Sequence, residues 1–251
     1  MEHDFLDKYS SVDSWVHRLD ARVKAIAALF FILMVVTTPP QHLLAFVIYA
    51  GLIAWTAALA QVPLAFVAGR ALLVLPFSAL VALGLPFLGG GETITVLGIG
   101  LSVKGLWVLA GAAMKSLLGV AALVLLVSTT PFSMLLAGMR GLGAPALFID
   151  LLALTYRYLF VLFGEGMRLR RAAAARGYRP RWLPQAAIVG RLAGNLFIRS
   201  YERAERVYGA MRLRGYSGQM PTAAPLRFRA ADGLVLAALI SALALVRVLV
   251  R

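Results

Sequence analysis

The chain contains no cysteine, which excludes disulfide bonds, thiolate metal ligands and cysteine nucleophiles. It also carries little charge, because 14% of its residues are charged, whereas a soluble domain carries about 25%. Acidic residues are especially scarce, 11 against 25 lysines and arginines, so that the net charge is +14. The pattern G-x-x-x-x-G-K-[ST] is absent, so the sequence has no P-loop for ATP phosphates. These features exclude a soluble enzyme, a disordered chain and a secreted disulfide scaffold.

Long apolar runs make up much of the chain, and 61% of the 251 residues are hydrophobic. A basic nucleic-acid-binding domain does not contain this much apolar sequence, so nucleic acid is not an expected partner. A membrane-spanning helix needs about 20 apolar residues. The candidate spans are residues 25–38, 43–60, 71–88, 105–127 and 233–250. The sequence therefore predicts an all-α, polytopic helical membrane protein with about five transmembrane helices. The glycine-rich segment 92–104 is predicted as an ordered loop or small hairpin.

The distribution of lysine and arginine predicts which side of the membrane each segment occupies. Residues 139–230 hold 16 of the 25 basic residues against four acids, and Arg18, Arg22 and Lys24 precede the first span. Basic flanks stay on the cytoplasmic side, so we expect a multi-pass protein of the cell inner membrane with a cytoplasmic N-terminus. The mixed charges of residues 1–24 are unlike a cleavable signal peptide. The predicted organisation is a cytoplasmic N-terminal segment (1–24), transmembrane helices 1–4 (25–130), a cytoplasmic module of two long helices (131–230) and a final transmembrane helix (231–251).

Residues 146–163 are apolar enough to be a sixth span. Asp150 and Arg157 oppose this, since each costs roughly 2.5–3.5 kcal/mol at the centre of an inserted helix. A span here would also move most of the later arginines to the outer side. We therefore interpret the segment as part of a long helix at or just below the cytoplasmic membrane surface, with a true span as the alternative.

Both long helical patterns of the cytoplasmic module end in Arg-Gly-Tyr, and each has a further arginine eight residues before the motif. The residues are Arg168, Arg176, Gly177 and Tyr178 in the first pattern, and Arg206, Arg214, Gly215 and Tyr216 in the second. Glycine after the last helical residue is the usual left-handed helix stop, and arginine suits the negative end of a helix. The repetition favours a second interpretation, because an arginine at a helix end can bind a partner carboxylate in a bidentate manner.

The second helical pattern is amphipathic. Its predicted apolar row is Ile188, Leu192, Leu196, Ala204, Val207 with Tyr208, and Met211. The opposite face is rich in arginine, and Glu202 and Arg206 are spaced to form an i,i+4 ion pair.

Two Ala/Leu-Arg-Gly motifs at the ends of consecutive cytoplasmic helices resemble the transmembrane T component (EcfT) of energy-coupling factor ABC importers. The motifs are Ala175-Arg176-Gly177 and Leu213-Arg214-Gly215. The opening Leu19-Asp20-Ala21-Arg22-Val23-Lys24 is similar to that of the family, in which position 21 is often proline. Within the family the chain is most similar to the cobalt-type (CbiQ) branch.

The resemblance implies what these motifs do. The two coupling helices would bind two ATP-binding cassette ATPase subunits through Ala175, Arg176, Gly177, Leu213, Arg214 and Gly215, with Tyr178, Tyr216, Arg168 and Arg206 in support. A separate membrane subunit would bind the substrate, and cobalt ion uptake would serve cobalamin biosynthesis.

No catalytic constellation is found in the sequence, so we expect a coupling subunit rather than an enzyme. No cofactor is expected, since ATP would be bound by the partner subunits. No metal site is expected either, because His3, His17 and His42 are scattered. Lys115 lies in the middle of a predicted span; it would snorkel, pair with another subunit or serve a function. The alternative functions are a stand-alone membrane channel or secondary transporter, a membrane enzyme, and a basic anchor that binds anionic lipid through residues 139–230.

Overall fold

The computed structural model describes residues 14–82, 84, 93–96, 99–177, 186–218 and 229–249. These residues are almost wholly helical, which confirms the predicted all-α fold. The helices are α1 (Ala21–Thr37), α2 (Leu43–Leu59), α3 (Leu64–Leu72), α4 (Leu75–Ala82), α5 (Val103–Thr129), α6 (Phe132–Gly141), α7 (Ala146–Ala175), α8 (Ala186–Leu213) and α9 (Ala230–Leu249). Strands β1 (Thr93–Val96) and β2 (Ile99–Ser102) pair antiparallel, which confirms the small hairpin predicted within residues 92–104.

The ends of the first two helices follow from local sequence. Asp20 caps α1, because its Oδ1 accepts a hydrogen bond of 2.8 Å from the backbone N–H of Arg22. After α2, Gln61 adopts a left-handed conformation with a φ of 56°. The N–H of Val62 then donates to the carbonyl of Ala57 at 3.0 Å, which closes the helix end in the usual two-bond cap.

Helices α5, α7 and α9 are, within the described residues, the ones long and apolar enough to cross a membrane by length and composition. The membrane-protein class is thereby confirmed. Helices α1 and α2 coincide with predicted spans, but each has 17 residues, at the lower limit for spanning.

Two of the apolar segments need comment. The run 71–88 is predicted as one span; its described helical part is interrupted by a turn at residues 73–74 between α3 and α4, and its crossing of the membrane stays a prediction. Residues 85–88 lie outside the described part. The segment 146–163 is helical as predicted and continues to Ala175, and α7 meets the length and composition requirement for a span. Its location at the membrane surface therefore stays a prediction.

The chain divides into two compact units, residues 1–138 with 224–251 and residues 139–223. In the first unit α5 is central, since α1, α2, α3 and α4 all contact it, and α9 packs on α1 and α2. The buried Tyr49 makes edge-on ring contacts with Phe31 and Phe46, at centroid distances of 5.7 and 6.5 Å. These aromatic contacts bind α1 to α2 at the centre of the apolar core.

Two cations hold the carboxyl end of α1. Lys115 Nζ on α5 donates to the carbonyl of Val36 at 2.7 Å. Arg247 Nη1 on α9 donates to the carbonyl of Thr37 at 2.9 Å. Both carbonyls belong to the last turn of the helix, where unpaired acceptors and the helix dipole favour positive charge. Lys115 therefore ties helices of its own unit together.

Candidate functional site: two arginine–glycine helix ends

The second unit contains α7 and α8, which pack against each other in opposite directions. Gly166 on α7 faces Leu196 on α8, where a Cβ atom would lie 3.8 Å from the leucine Cδ2. Earlier on α7, Leu162 lies beside a concave surface whose other lining residues include Arg203 and Arg206, later on α8. Contacts that move backward on one helix while they move forward on the other define an antiparallel pair.

An ion cluster fixes the contact between α7 and α8. Glu165 on α7 accepts a hydrogen bond of 3.0 Å from Nε of Arg168 and a second from Nη2 of that residue. Its other oxygen, Oε1, accepts a bond of 2.6 Å from Nη1 of Arg199 on α8. The hydrogen bonds from Arg168 and then those from Arg199 hold the pKa of the Glu165 carboxyl below its ordinary value. Glu165 is therefore ionised at neutral pH and links the two helices.

Helix α7 ends at the first Arg-Gly motif. Arg176 is the C-cap residue, and its N–H donates to the carbonyl of Ala173 at 3.0 Å. Gly177 follows with a φ of 84°, and its N–H donates to the carbonyl of Ala174 at 3.0 Å. A residue with a Cβ is strained in this conformation, so glycine is needed to end the helix here. Ala175, Arg176 and Gly177 are exposed, and Tyr178 lies outside the described residues.

Helix α8 ends in the same geometry at the second motif. Gly215 has a φ of 83°, and its N–H donates to the carbonyl of Arg212 at 3.0 Å. The N–H of Tyr216 donates to the carbonyl of Met211, also at 3.0 Å. This pair of bonds is the Schellman cap. Leu213 is 92% exposed, Arg214 and Gly215 are exposed, and Tyr216 is half-buried. The left-handed glycine stops predicted for both helices are confirmed.

The two supporting arginines each pair with an acid on their own helix. Arg168 pairs with Glu165, three residues earlier, and Arg206 lies 3.9 Å from Glu202, four residues earlier. The predicted Glu202–Arg206 pair is confirmed. The repeat between the two helices therefore extends beyond the Arg-Gly-Tyr motif to an ion pair about two turns before it. Among the described residues, only the first of these pairs also reaches the opposite helix.

The two Arg-Gly ends are not brought together. Arg176 lies 11 residues beyond Glu165, and Arg214 lies 15 residues beyond Arg199. At about 1.5 Å per residue these stretches are about 16 Å and about 22 Å long. Because the helices run in opposite directions from the Glu165–Arg199 contact, the two exposed arginines lie on opposite sides of it. The unit thus has two separate, similar, exposed helix ends.

The predicted apolar row of α8 is correct in part. Leu192, Leu196, Val207 and Met211 are half-buried, as a row facing α7 requires. Ile188, Ala204 and Tyr208 are exposed, and Ser200 and Arg203 occupy the middle of the half-buried row. The half-buried face therefore includes polar residues next to Arg199, whose partner Glu165 the sequence of α8 does not reveal.

The histidines do not form a metal site in the part of the chain that the structure describes, where no group of three or more His, Cys, Asp or Glu residues lies together. Nδ1 of His17 lies 2.7 Å from Oγ of Ser14, and His42 is the residue before α2. His3 lies outside the described residues.

The fold and these helix ends define the class as a polytopic helical membrane protein that carries an exposed pair of arginine-ended helices. The family model for CbiQ, described as a cobalt transport protein, matches residues 12–223. The chain therefore belongs to the CbiQ family of cobalt transport proteins.

Individual relatives agree with this family. The chain is 32% identical to the cobalt transport protein CbiQ of Rhodobacter capsulatus, over 88% of this chain and 90% of the relative. It is 32% identical to the energy-coupling factor transporter transmembrane protein EcfT of Bacillus selenitireducens, over 85% of this chain and 84% of the relative. It is 30% identical to the putative fused cobalt transport protein CbiMQ of Methanocorpusculum labreanum, over 84% of this chain. The match spans only 36% of that longer fused protein.

Proposed function

We propose that this protein is the non-catalytic transmembrane coupling subunit of an energy-coupling factor importer for cobalt ion. In this role it links ATP hydrolysis by two ATP-binding cassette ATPase subunits to a separate membrane subunit that binds the substrate. The observation that carries the proposal is the pair of exposed arginines at the left-handed glycine ends of α7 and α8. The family membership and the similarity to EcfT support it.

Docking at each end follows from the chemistry of arginine. Arg176 and Arg214 each sit one residue before the glycine that turns the chain away, so the guanidinium is free to project past the helix end. A groove on an ATPase subunit that holds a carboxylate at this position would bind it in a bidentate manner. Two ends on opposite sides of the α7–α8 contact suit two partner subunits better than one.

The orientation is part of the proposal. The amino terminus and residues 131–230 would lie in the cytoplasm, where the ATPase subunits bind nucleotide. The basic residues of the second unit favour this side. Motion of the ATPase pair would then move the two helix ends, and the Glu165–Arg199 contact would keep the two helices moving as one piece.

The alternative of a stand-alone channel or secondary transporter has less support. Such a protein needs polar groups or broken helices near the centre of the membrane. Lys115 was its candidate in the sequence, and in the structure this lysine is bound to the end of α1.

Reconstitution tests the proposal. The purified chain is expected to show no saturable ATP hydrolysis, because its sequence has no P-loop. Vesicles that contain the chain, the two ATPase subunits and the substrate-binding subunit should take up cobalt with ATP, and omission of the chain should abolish uptake. Hydrolysis by the isolated chain that survives repurification, or cobalt flux through the chain alone, would contradict it.

A further inference from the structure

Residues 19–24, the opening motif of the chain, gather the ends of several helices in the first unit. Lys24 is buried, and its Nζ donates to the carbonyl of Thr129, the last residue of α5, at 2.8 Å. A second bond of 3.1 Å goes to the carbonyl of His17, in the turn before α1. The carboxyl end of a helix attracts positive charge because its last carbonyls are unpaired. Lys24 therefore fixes the end of α5 against the start of α1.

The same motif contacts α6, the helix at which the chain leaves the first unit. A Cβ atom at Gly138 of α6 would lie 3.2 Å from Cβ of Ala21 and 3.3 Å from the backbone nitrogen of Arg22. Ala21 is itself buried. The absence of a side chain at Gly138 therefore lets the backbone of α6 lie directly on the start of α1.

The start of α9 lies at the same place. Val235 of α9 lines one apolar crevice together with Lys24 and Thr129. Asp232, in the first turn of α9, is buried and accepts a hydrogen bond from a backbone N–H. Burial lowers the pKa of Lys24 to about 8, whereas the charges of Asp20 and Asp232 raise it. The ammonium group is therefore charged at neutral pH and is attracted to the start of α9.

The two elements that meet the motif are also the ones next to the passages between the units. The chain leaves the first unit after Gly138, in α6, and re-enters it at residue 224. Helix α9 begins shortly afterwards, at Ala230. Movement of the second unit is therefore passed along the chain to α6 and to the start of α9.

We propose that Lys24 is the positioning residue of a joint through which movement of the second unit reaches the membrane helices of the first. The α1 joint consists of Lys24 with Ala21 of α1, Thr129 of α5, Gly138 of α6 and Asp232 of α9. Helices α1 and α5 contribute to the apolar core of the first unit. Because the α1 joint holds α6 and α9 against these two helices, a displacement of the first pair also moves the second. The inference rests on the proposed coupling function.

The opposite ends of α1 and α5 provide a matched control. There Nζ of Lys115 on α5 donates to the carbonyl of Val36 on α1 at 2.7 Å. Each of the two helices thus holds the carboxyl end of the other with one lysine. Lys24→Met and Lys115→Met remove equivalent bonds from the same helix pair, but only the first substitution lies at the α1 joint.

Hydrogen exchange of the full-length chain tests the joint without any partner. In Lys24→Met, α6 and the first turns of α9 should lose protection from exchange, because the end of α5 and the start of α9 lose their shared cation. In Lys115→Met these segments should keep their protection. Unchanged protection of α6 and α9 in Lys24→Met would overturn the inference.

Transport measures what the joint does. Vesicles that contain the chain, the two ATPase subunits and the substrate-binding subunit are assayed for cobalt uptake and ATP hydrolysis in the same sample. In Lys24→Met we expect hydrolysis to continue while the cobalt taken up per ATP falls severalfold, and in Lys115→Met this ratio should be unchanged. Gly138→Val should lower the ratio as well. Gly119→Val should not, since nothing among the described residues lies within 4 Å of a Cβ atom at Gly119.

The outcomes separate this inference from the proposed function. Equal ratios in Lys24→Met and Lys115→Met would overturn the joint. If Lys24→Met does not assemble, a normal ratio in Gly138→Val would overturn it in the same way. Absence of ATP-driven uptake by the unsubstituted complex would instead contradict the proposed coupling function, and with it the role given to the joint.

Discussion

Nη1 of Arg199 lies 2.6 Å from Oε1 of Glu165 and joins α8 to α7. Within residues 146–177 and 186–218, it is the one ion pair that joins the two helices. The Glu202–Arg206 pair, by contrast, lies within α8, at 3.9 Å and with both side chains exposed. The two acids thus have similar sequence surroundings and different structural roles.

A double-mutant cycle separates these roles. Removal of Glu165 and Arg199, singly and together, should give a clear coupling energy in the thermal unfolding of the protein in detergent, because the pair joins two helices. The same cycle for Glu202 and Arg206 should give a value near zero, as is usual for exposed pairs. Equal coupling in the two cycles would show that Glu165 does not link the helices.

The pKa of Glu165 predicts a pH dependence. Its folded-state pKa is depressed, so its stabilising contribution is present above the ordinary carboxyl pKa and is lost as the pH falls through the lower folded value. The protection of α7 and α8 from hydrogen exchange, relative to the intrinsic exchange rate at each pH, should therefore be high at neutral pH and should fall in acid. In Glu165→Gln this protection should already be lower at neutral pH and should respond less to acid. An unchanged acid response in this variant would assign the effect to another group.

Gly111 lies where α5 closely approaches the turn after α1, so this position requires a residue without a side chain. A Cβ atom at Gly111 would lie 2.4 Å from Cβ of Pro40, whereas at Gly119 of the same helix nothing lies within 4 Å. Gly111→Ala should destabilise the protein by about 1–3 kcal/mol through overpacking. Gly119→Ala should stabilise it by up to about 1 kcal/mol, since alanine is the better helix former. Thermal unfolding measures both, and a stable Gly111→Ala protein would contradict the packing of α5 against this turn.

Substitution of Lys115 distinguishes a structural role of this lysine from a role in transport. Lys115→Met should lower the stability by roughly 1–2 kcal/mol, because the carbonyl of Val36 loses a charged donor. Lys104→Met, an exposed lysine at the start of the same helix, should have little effect. Cobalt uptake per folded complex should be unchanged in both. Normal stability with loss of uptake in Lys115→Met would place this lysine in a transport path.

The features that the sequence predicts well are local. Gly177 and Gly215 were predicted as helix stops because a left-handed residue is governed by its own backbone, and both have the positive φ expected. The Glu202–Arg206 pair was predicted because helical spacing alone brings the two together. Helices α5 and α9 follow from apolar length in the same way.

The features that were missed depend on contacts between elements. Nothing in the sequence around Glu165 on α7 indicates that its partner is Arg199 on α8, 34 residues later. The break between α3 and α4 lies within a continuous apolar run, where composition marks no boundary. Lys115 looked like an isolated charge because its acceptor, the carbonyl of Val36, is a backbone atom 79 residues away.

The central claim is that Arg176 and Arg214 dock the ATPase subunits, and charge reversal tests it most directly. The double variant Arg176→Glu/Arg214→Glu is compared with Arg171→Glu/Arg212→Glu, which changes the net charge equally through exposed arginines of the same two helices. Under this claim, loss of each docking arginine would leave a partner carboxylate unpaired, at a cost of about 2–5 kcal/mol in association. Co-purification of the ATPase subunits from membranes is the measurement. We expect the first variant to be inserted in the membrane but to lose both ATPase subunits, and the control to retain them. Normal assembly of the first variant, or equal loss in the control, would contradict docking through the two helix ends.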